Sequence, residues 1–127
     1  MDAIVAGLTE AWNAGDGERF AAVFAEDGEQ VNIFGAALVG RAEIRDRHVR
    51  IFTTIFREST NTLHVVRLRY AAADIALARV ASIVEVPHGP LQGELRTLVS
   101  LVLRRVDVSW EIVLFHNTRV TSASAPP

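Results

Sequence analysis

The feature that most constrains the fold is a change of periodicity near residue 60, after which apolar and polar residues alternate with a period of two. Four long segments carry this pattern, at residues 62–72, 75–86, 91–105 and 109–120. The turns between them are too short for a crossover, so consecutive segments must be antiparallel neighbours. The second half of the chain therefore predicts an antiparallel meander.

The last of these segments, residues 109–120, is apolar on both of its faces. Alternation separates Trp110, Ile112 and Leu114 from Val113 and Phe115. A strand with two apolar faces needs cover on both sides. We expect helices on one face and another layer, such as a second subunit, on the other.

The first half of the chain shows apolar residues at helical spacing. It predicts helices at residues 2–14, 17–26 and 41–56, with two short strands, 29–34 and 36–39, between the second and the third. Gly15 is expected to end the first helix and Asp16 to cap the second. The fold class is therefore α+β, with helices packed on one face of a curved sheet.

Length and composition set the domain organisation. A chain of 127 residues predicts a single domain, which we place at residues 1–120. Residues 121–127 are small or polar and end in two prolines, which predicts a flexible tail.

Charge and cysteine content limit the partners. The net charge is −2 and no basic patch with interleaved aromatics occurs, which argues against nucleic acid. The absence of cysteine excludes disulfides and thiolate metal sites. No apolar run reaches the ~18 residues that span a bilayer, and the N-terminus lacks a basic signal region. We therefore expect a cytoplasmic protein with no membrane association.

Several short motifs resemble those of one superfamily. They are Ala11-Trp12-Asn13-Ala14-Gly15-Asp16, Phe24-Ala25-Glu26-Asp27, Gly40-Arg41-Ala42-Glu43-Ile44, and Trp110-x-Ile112 followed by Phe115-His116-Asn117-Thr118. Together they resemble the nuclear transport factor 2-like superfamily, which includes ketosteroid isomerases and SnoaL-like polyketide cyclases. The closing motif is most similar to the SgcJ/EcaC branch.

The resemblance covers roughly residues 2–120 and implies a cone-shaped fold with an apolar pocket between helices and sheet. By position, the pocket walls would be formed by four aromatic residues, Trp12, Phe24, Phe52 and Phe115. The outer sheet face, with residues such as Val80, Ser82 and Val84, would then be available for a homodimer.

The resemblance does not extend to the isomerase mechanism. The family's catalytic tyrosine, aspartate base and second acid align here with Leu8, Asn32 and about Ser100. Leu8 cannot donate a hydrogen bond and Asn32 cannot accept a proton at neutral pH. The chain is therefore not expected to be a ketosteroid isomerase.

The polar residues expected on the inner faces are Asn32, His48, Arg79, Ser100 and Asn117. His48 is the best acid/base candidate, because only histidine has an unperturbed pKa near neutral pH; the alternative is a core histidine with one hydrogen bond. The two asparagines would orient a carbonyl or a water, or satisfy backbone groups near strand ends.

Arg79 is the second candidate for chemistry. It lies in the row Ile75, Leu77, Arg79, Ala81 and Ile83, where it would clamp a carboxylate or an enolate oxygen. Alternatively it pairs with Glu94, Glu85 or Asp107 at the sheet rim. If the strand has the reverse phase, Arg79 faces the dimer side instead. The neighbouring arginines of the third predicted helix, at positions 41, 45, 47 and 50, are expected on a solvated face.

The function predicted from these features is binding of a small polyketide-like or aromatic molecule. One alternative is an isomerase, cyclase or hydratase that uses His48 as its general base; another is a non-catalytic dimeric interaction module. The histidines at 48, 64, 88 and 116 show no metal-ligand spacing, and there is no dinucleotide fingerprint, so neither a metal nor a cofactor is expected.

Overall fold

The computed structural model describes residues 2–121. The helices are α1 (Asp2–Asn13), α2 (Gly17–Ala22) and α3 (Arg41–Ile51); the strands are β1 (Phe24–Val31), β2 (Ala37–Val39), β3 (Thr60–Ala72), β4 (Ile75–Val86), β5 (Gly93–Val106) and β6 (Ser109–Arg119). The predicted tail at residues 121–127 lies outside the described residues, apart from Thr121. Its flexibility and the single-domain boundary stay predictions.

The strands form one sheet in the order β2-β1-β6-β5-β4-β3. All neighbours are antiparallel except β1 and β6, which run parallel and place the first strand of the chain beside the last. The helices pack on one face of this curved sheet, with α1 against β3 and α3 against β1. The predicted α+β class is confirmed, and the last strand lies inside the sheet rather than at its edge.

The hairpin of α1 and α2 follows the local signals in the sequence. Gly15 adopts a positive φ of 65°, which a residue without Cβ tolerates after a helix end. The Asp16 carboxylate then accepts a hydrogen bond from the Arg19 N–H at 2.9 Å, as an N-cap does. Helix α2 ends at Ala22, however, not at residue 26. The Ile112 N–H donates to the Val23 carbonyl at 3.0 Å, and this pairing with β6 outweighs local helix propensity.

Helix α3 also ends earlier than predicted, at Ile51 instead of residue 56. The hydroxyls of Thr53 and Thr54 both donate to the Arg50 carbonyl, at 3.0 and 2.8 Å. Such side-chain bonds compete with helical continuation. Residues 52–58 therefore form a series of turns that ends at Glu58, where φ is +61°.

The two faces of β4 are the reverse of the expected ones. The buried row consists of Ala76, Ala78, Val80, Ser82, Val84 and Val86, which point towards the helices. Arg79 lies on the outer face and is exposed, as is Glu85. The expected inward orientation of Arg79 is wrong, and so is the outer placement of Val80, Ser82 and Val84. The physical reason is that two charged residues in one row mark the solvent side, where they stay hydrated.

Candidate functional site

A cavity of about 90 Å³ lies between the helices and the inner face of the sheet. Its deep part is aromatic and aliphatic, with Trp12, Phe20, Phe56 and Phe115 among the lining side chains. Its mouth is lined by partly exposed residues, which are Ile33, Phe34, Arg47, Ile51 and Ile55. A mostly apolar concave site with a few polar groups is the usual setting for a small ligand.

The predicted aromatic walls are only partly those of the cavity. Trp12 and Phe115 line it, whereas Phe24 and Phe52 are buried in the core behind it and do not. Phe52 supports the wall instead, since its ring packs edge-on against Trp12 with centroids 4.9 Å apart. The Trp12 indole N–H donates to the Ser59 hydroxyl at 2.9 Å, which fixes the ring.

His48 is the titratable group inside this site. It is 3% exposed, lines the cavity and stacks on Phe20 with ring centroids 4.2 Å apart. Its Nδ1 lies 2.7 Å from the Ile44 carbonyl oxygen. A carbonyl can only accept, so Nδ1 carries the proton and the neutral ring keeps its lone pair on Nε2.

Burial lowers the pKa of His48 from 6.5 to about 4, because the charged ring would lose its hydration. The hydrogen bond to Ile44 acts in the opposite direction, and the nearby Arg47 charge lowers the pKa further. At neutral pH the imidazole is therefore uncharged and presents a hydrogen-bond acceptor. His48 is thus a core residue with one hydrogen bond, as in the alternative interpretation, and it also borders the cavity; its acid/base role stays a prediction.

A polar band crosses the inner face of the sheet opposite the helices. It consists of Gln30 on β1, Asn61 on β3, Ser82 on β4, Thr97 on β5 and Asn117 on β6. Ser82 and Thr97 are direct cross-strand partners. The Ser82 hydroxyl donates to the Asn61 side-chain oxygen at 2.8 Å, so those two residues satisfy each other.

The other three members of the polar band are not satisfied within residues 2–121. Gln30 Oε1, Thr97 Oγ1 and Asn117 Oδ1 are buried and have no hydrogen-bond partner there. Each such atom costs roughly 1–3 kcal/mol relative to a paired one. All three line the same cavity, so a molecule in the cavity is their natural source of partners.

Three predicted residues do not act as expected in the geometry of the site. Arg79 and Ser100 face each other across β4 and β5 on the outer face, far from the inner polar band. Asn32 borders the cavity, but its Oδ1 accepts hydrogen bonds from the backbone N–H groups of Phe34 and Ala36, both at 3.0 Å. Asn32 therefore shapes the β1–β2 turn, which was the alternative interpretation.

Arg47 departs from the prediction of a solvated arginine face on α3. The arginines at 41, 45 and 50 are exposed, whereas Arg47 is half-buried and lines the mouth of the cavity. Arg45 pairs with Asp46. Among the described residues, Arg47 has no salt-bridge partner.

Sequence reasoning missed Gln30, Arg47, Asn61, Ser82 and Thr97. A usable signal existed for two of them, since Ser82 and Thr97 interrupt the uncharged rows of β4 and β5. The row of β4 contains no charged residue, and that of β5 contains none between Leu95 and Leu103, which marks these stretches as inward-facing. The other three depend on strand limits and side-chain directions that periodicity does not provide.

Two kinds of feature are absent from residues 2–121. Within them, no three histidine or acidic side chains are grouped so as to hold a metal ion. No helix in the same range is long and apolar enough to cross a membrane. The cytoplasmic location stays a prediction.

Similar structures share the fold over almost the whole chain. An uncharacterised protein with a cystatin-like fold from Caulobacter vibrioides is 30% identical, with a TM-score of 0.84 over 95% of this chain and 87% of that one. A domain of unknown function from Nostoc punctiforme, also with a cystatin-like fold, is 29% identical, with a TM-score of 0.83 over 95% of this chain and 75% of that one. A putative scytalone dehydratase from Novosphingobium aromaticivorans is 17% identical, with a TM-score of 0.79 over 94% and 81%, and it shows the fold alone.

Among proteins with curated descriptions, none matches the chain. The profile of the SnoaL-like domain matches residues 5–109, which is most of the sequence. This match and the shared architecture support the predicted nuclear transport factor 2-like superfamily. The chain belongs to the SnoaL-like domain family.

Proposed function

We propose that this protein binds a small, mostly apolar molecule in the cavity, with at least one polar group of the ligand facing the polar band. The observation that carries this proposal is the convergence of the unsatisfied atoms of Gln30, Thr97 and Asn117 on one apolar cavity. A ligand that supplies those missing hydrogen bonds while it buries an apolar body binds favourably. Membership of the SnoaL-like family, and the resemblance of the closing motif to the SgcJ/EcaC branch of the nuclear transport factor 2-like superfamily, support a metabolite-sized ligand.

The size of the cavity narrows the ligand class. Drug-sized ligands occupy roughly 300–1,000 Å³, and an engineered cavity of about 150 Å³ holds benzene. A cavity of about 90 Å³ therefore favours a single ring, with some adjustment at the mouth, over a multi-ring polyketide. The presence of the cavity also argues against the alternative of a non-catalytic interaction module, which would need no space between the helices and the sheet.

The isosteric change Thr97→Val tests whether the polar band exists for a ligand. Removing a buried hydroxyl that has no partner should raise the free energy of unfolding by about 1 kcal/mol. The same change should weaken the binding of phenol, because one of its hydrogen-bond partners is lost. Urea denaturation and titration calorimetry measure the two effects.

Ser82→Ala provides the matched control, since Ser82 lies directly across from Thr97 and its hydroxyl is already paired with Asn61. It should lower the free energy of unfolding, because it leaves the Asn61 oxygen unpaired. A Thr97→Val protein that is destabilised and binds phenol as the wild type does would contradict the proposal. Failure of the wild-type protein to bind any phenol or single-ring aromatic would also count against it.

A second candidate function is acid/base catalysis by His48. It is favoured by the fixed orientation of the ring, in which Nδ1 donates to Ile44 and the unprotonated Nε2 is free to accept. With a pKa of about 4, His48 would be in its basic form throughout the neutral range. For a cavity-sized substrate, kcat/KM should therefore rise through an ionisation near pH 4 and stay flat around pH 7. His48→Gln should abolish turnover and retain ligand binding; an unchanged kcat in this variant would exclude the role.

We also propose a homodimer through the outer sheet face. Leu77, Val102 and Leu114 form a row of directly paired, half-buried apolar residues across β4, β5 and β6. A second copy is the cover that the sequence predicts for this face. Light scattering should give twice the mass of one chain, and a monomer at all accessible concentrations would remove the proposal.

A further inference from the structure

The mouth of the cavity contains one formal charge among the residues that line it. That charge is Arg47, since the other titratable lining group, His48, is neutral at pH 7. Within residues 2–121, Arg47 has no carboxylate within salt-bridge distance. The apolar cavity therefore opens beside an uncompensated guanidinium.

The position of Arg47 on α3 explains why its exposure differs from that of its neighbours. His48 points into the core, where it is stacked on Phe20, and the preceding residue is thereby turned to the edge of the same opening. Arg50, one turn further on, is exposed and does not line the cavity. The half-burial of Arg47 reduces solvent screening, so an anion at the mouth would interact with it more strongly than with a surface arginine.

Guanidinium groups recognise carboxylates with two parallel hydrogen bonds, which gives both affinity and orientation. The uncharged polar groups that line the cavity instead favour a hydrogen-bond donor. Gln30 Oε1, Asn117 Oδ1 and the neutral His48 Nε2 are hydrogen-bond acceptors, and they favour a donor such as a hydroxyl. No lining residue other than Arg47 carries a positive charge at neutral pH, so a carboxylate is matched by an opposite charge only at the mouth.

We propose that the ligand is a single-ring aromatic carboxylate with a hydroxyl group, whose carboxylate is held by Arg47 and whose hydroxyl faces the polar band. This inference rests on the proposed ligand-binding function and specifies its ligand class. The ring occupies the apolar part of the cavity between Trp12, Phe20 and Phe115. Arg47 is a binding and orienting residue in this arrangement, and no covalent step is involved.

The test compares 4-hydroxybenzoate with the neutral 4-hydroxybenzamide, which has the same ring and hydroxyl. The wild-type protein should bind the carboxylate at least about ten-fold more tightly, as expected of a hydrogen-bonded charge pair. Arg47→Gln should remove this preference, by weakening the binding of the carboxylate at least about ten-fold more than that of the amide. Arg47→Lys should retain part of the preference, because the charge remains and the two-pronged contact is lost. Titration calorimetry at fixed ionic strength provides the dissociation constants.

Arg50→Gln is the matched control, since it removes the same charge from the same helix outside the cavity. The Arg50→Gln protein should keep the preference for the carboxylate. If it loses this preference to the same extent as Arg47→Gln, the carboxylate is attracted by the net charge of the helix at long range, and the assignment of Arg47 is overturned. Equal binding of the carboxylate and the amide by the wild type would overturn this inference while leaving the proposed function intact. Binding of neither compound, nor of phenol, would overturn both.

Discussion

Gly17→Ala is expected to lower the free energy of unfolding by about 3 kcal/mol, at the upper end of what overpacking usually costs. Gly17 begins α2 at the point where this helix crosses α3. A Cβ at this position would lie 2.4 Å from the Val49 backbone nitrogen and 2.8 Å from the His48 carbonyl carbon. These atoms belong to the main chain of a helix and cannot rotate away, so α3 as a whole would have to move.

The effect of Gly17→Ala should extend to the site, because α3 places His48 against Phe20 and Arg47 at the mouth of the cavity. Urea denaturation measures the loss of stability, and phenol titration measures the loss of binding. Gly7→Ala is the control. Gly7 lies inside α1, an added Cβ would meet only the Val23 side chain at 3.5 Å, and alanine is favoured there by about 0.5–1 kcal/mol. Equal stability of the Gly17→Ala and wild-type proteins would show that the two helices do not approach as described.

Acidification is expected to remove about 3 kcal/mol of stability through His48 alone. In the unfolded chain the imidazole titrates near pH 6.5, whereas in the folded protein burial lowers its pKa to about 4. Between these values the unfolded state binds more protons, so the free energy of unfolding falls as the pH falls. For this group the loss begins below about pH 6.5, is complete below about pH 4, and is absent above pH 7.

Urea denaturation between pH 7 and pH 4 measures this dependence. His48→Phe keeps an aromatic ring against Phe20 and removes the ionisation, so its stability should vary less with pH by about the same 3 kcal/mol. His64→Gln, at an exposed position on β3, is the control for removal of a histidine that is not buried. Identical pH profiles for His48→Phe and the wild type would mean that the His48 imidazole is protonated at little cost.

The sequence predicted those elements whose signals are local. The Asp16 cap, the Gly15 helix end and the limits of β4 depend on a few neighbouring residues, and they agree with the structure. The end of α2 does not, because Val23 and Phe24 have helical spacing but are held by β6 more than eighty positions later. Pairing between distant segments decides such cases, and a single sequence contains no direct record of it.

The candidate site was only partly predictable for the same reason. His48 and Asn117 were identified by residue type and spacing, Trp12 and Phe115 by their position in the fold that the resemblance implies, and all four lie around one cavity. The face of the sheet on which Arg79 lies depends on which alternate residues of β4 point inward. A shift of one residue exchanges the two faces of a strand. The unpaired state of the Thr97 hydroxyl depends on which side chains the neighbouring elements place around it. No property of the residue itself indicates this.

One side of the cavity is formed by the turns of residues 52–58, which contribute Ile55 and Phe56 to its lining. This stretch joins α3 to β3 and belongs to neither, so insertions or exchanges within it leave the hydrogen-bond ladder of the sheet in place. Sequence changes in this one connection can therefore enlarge, narrow or reshape the cavity. Homologues with the same fold are then expected to bind different ligands. We expect these differences in specificity to follow the sequence of this connection.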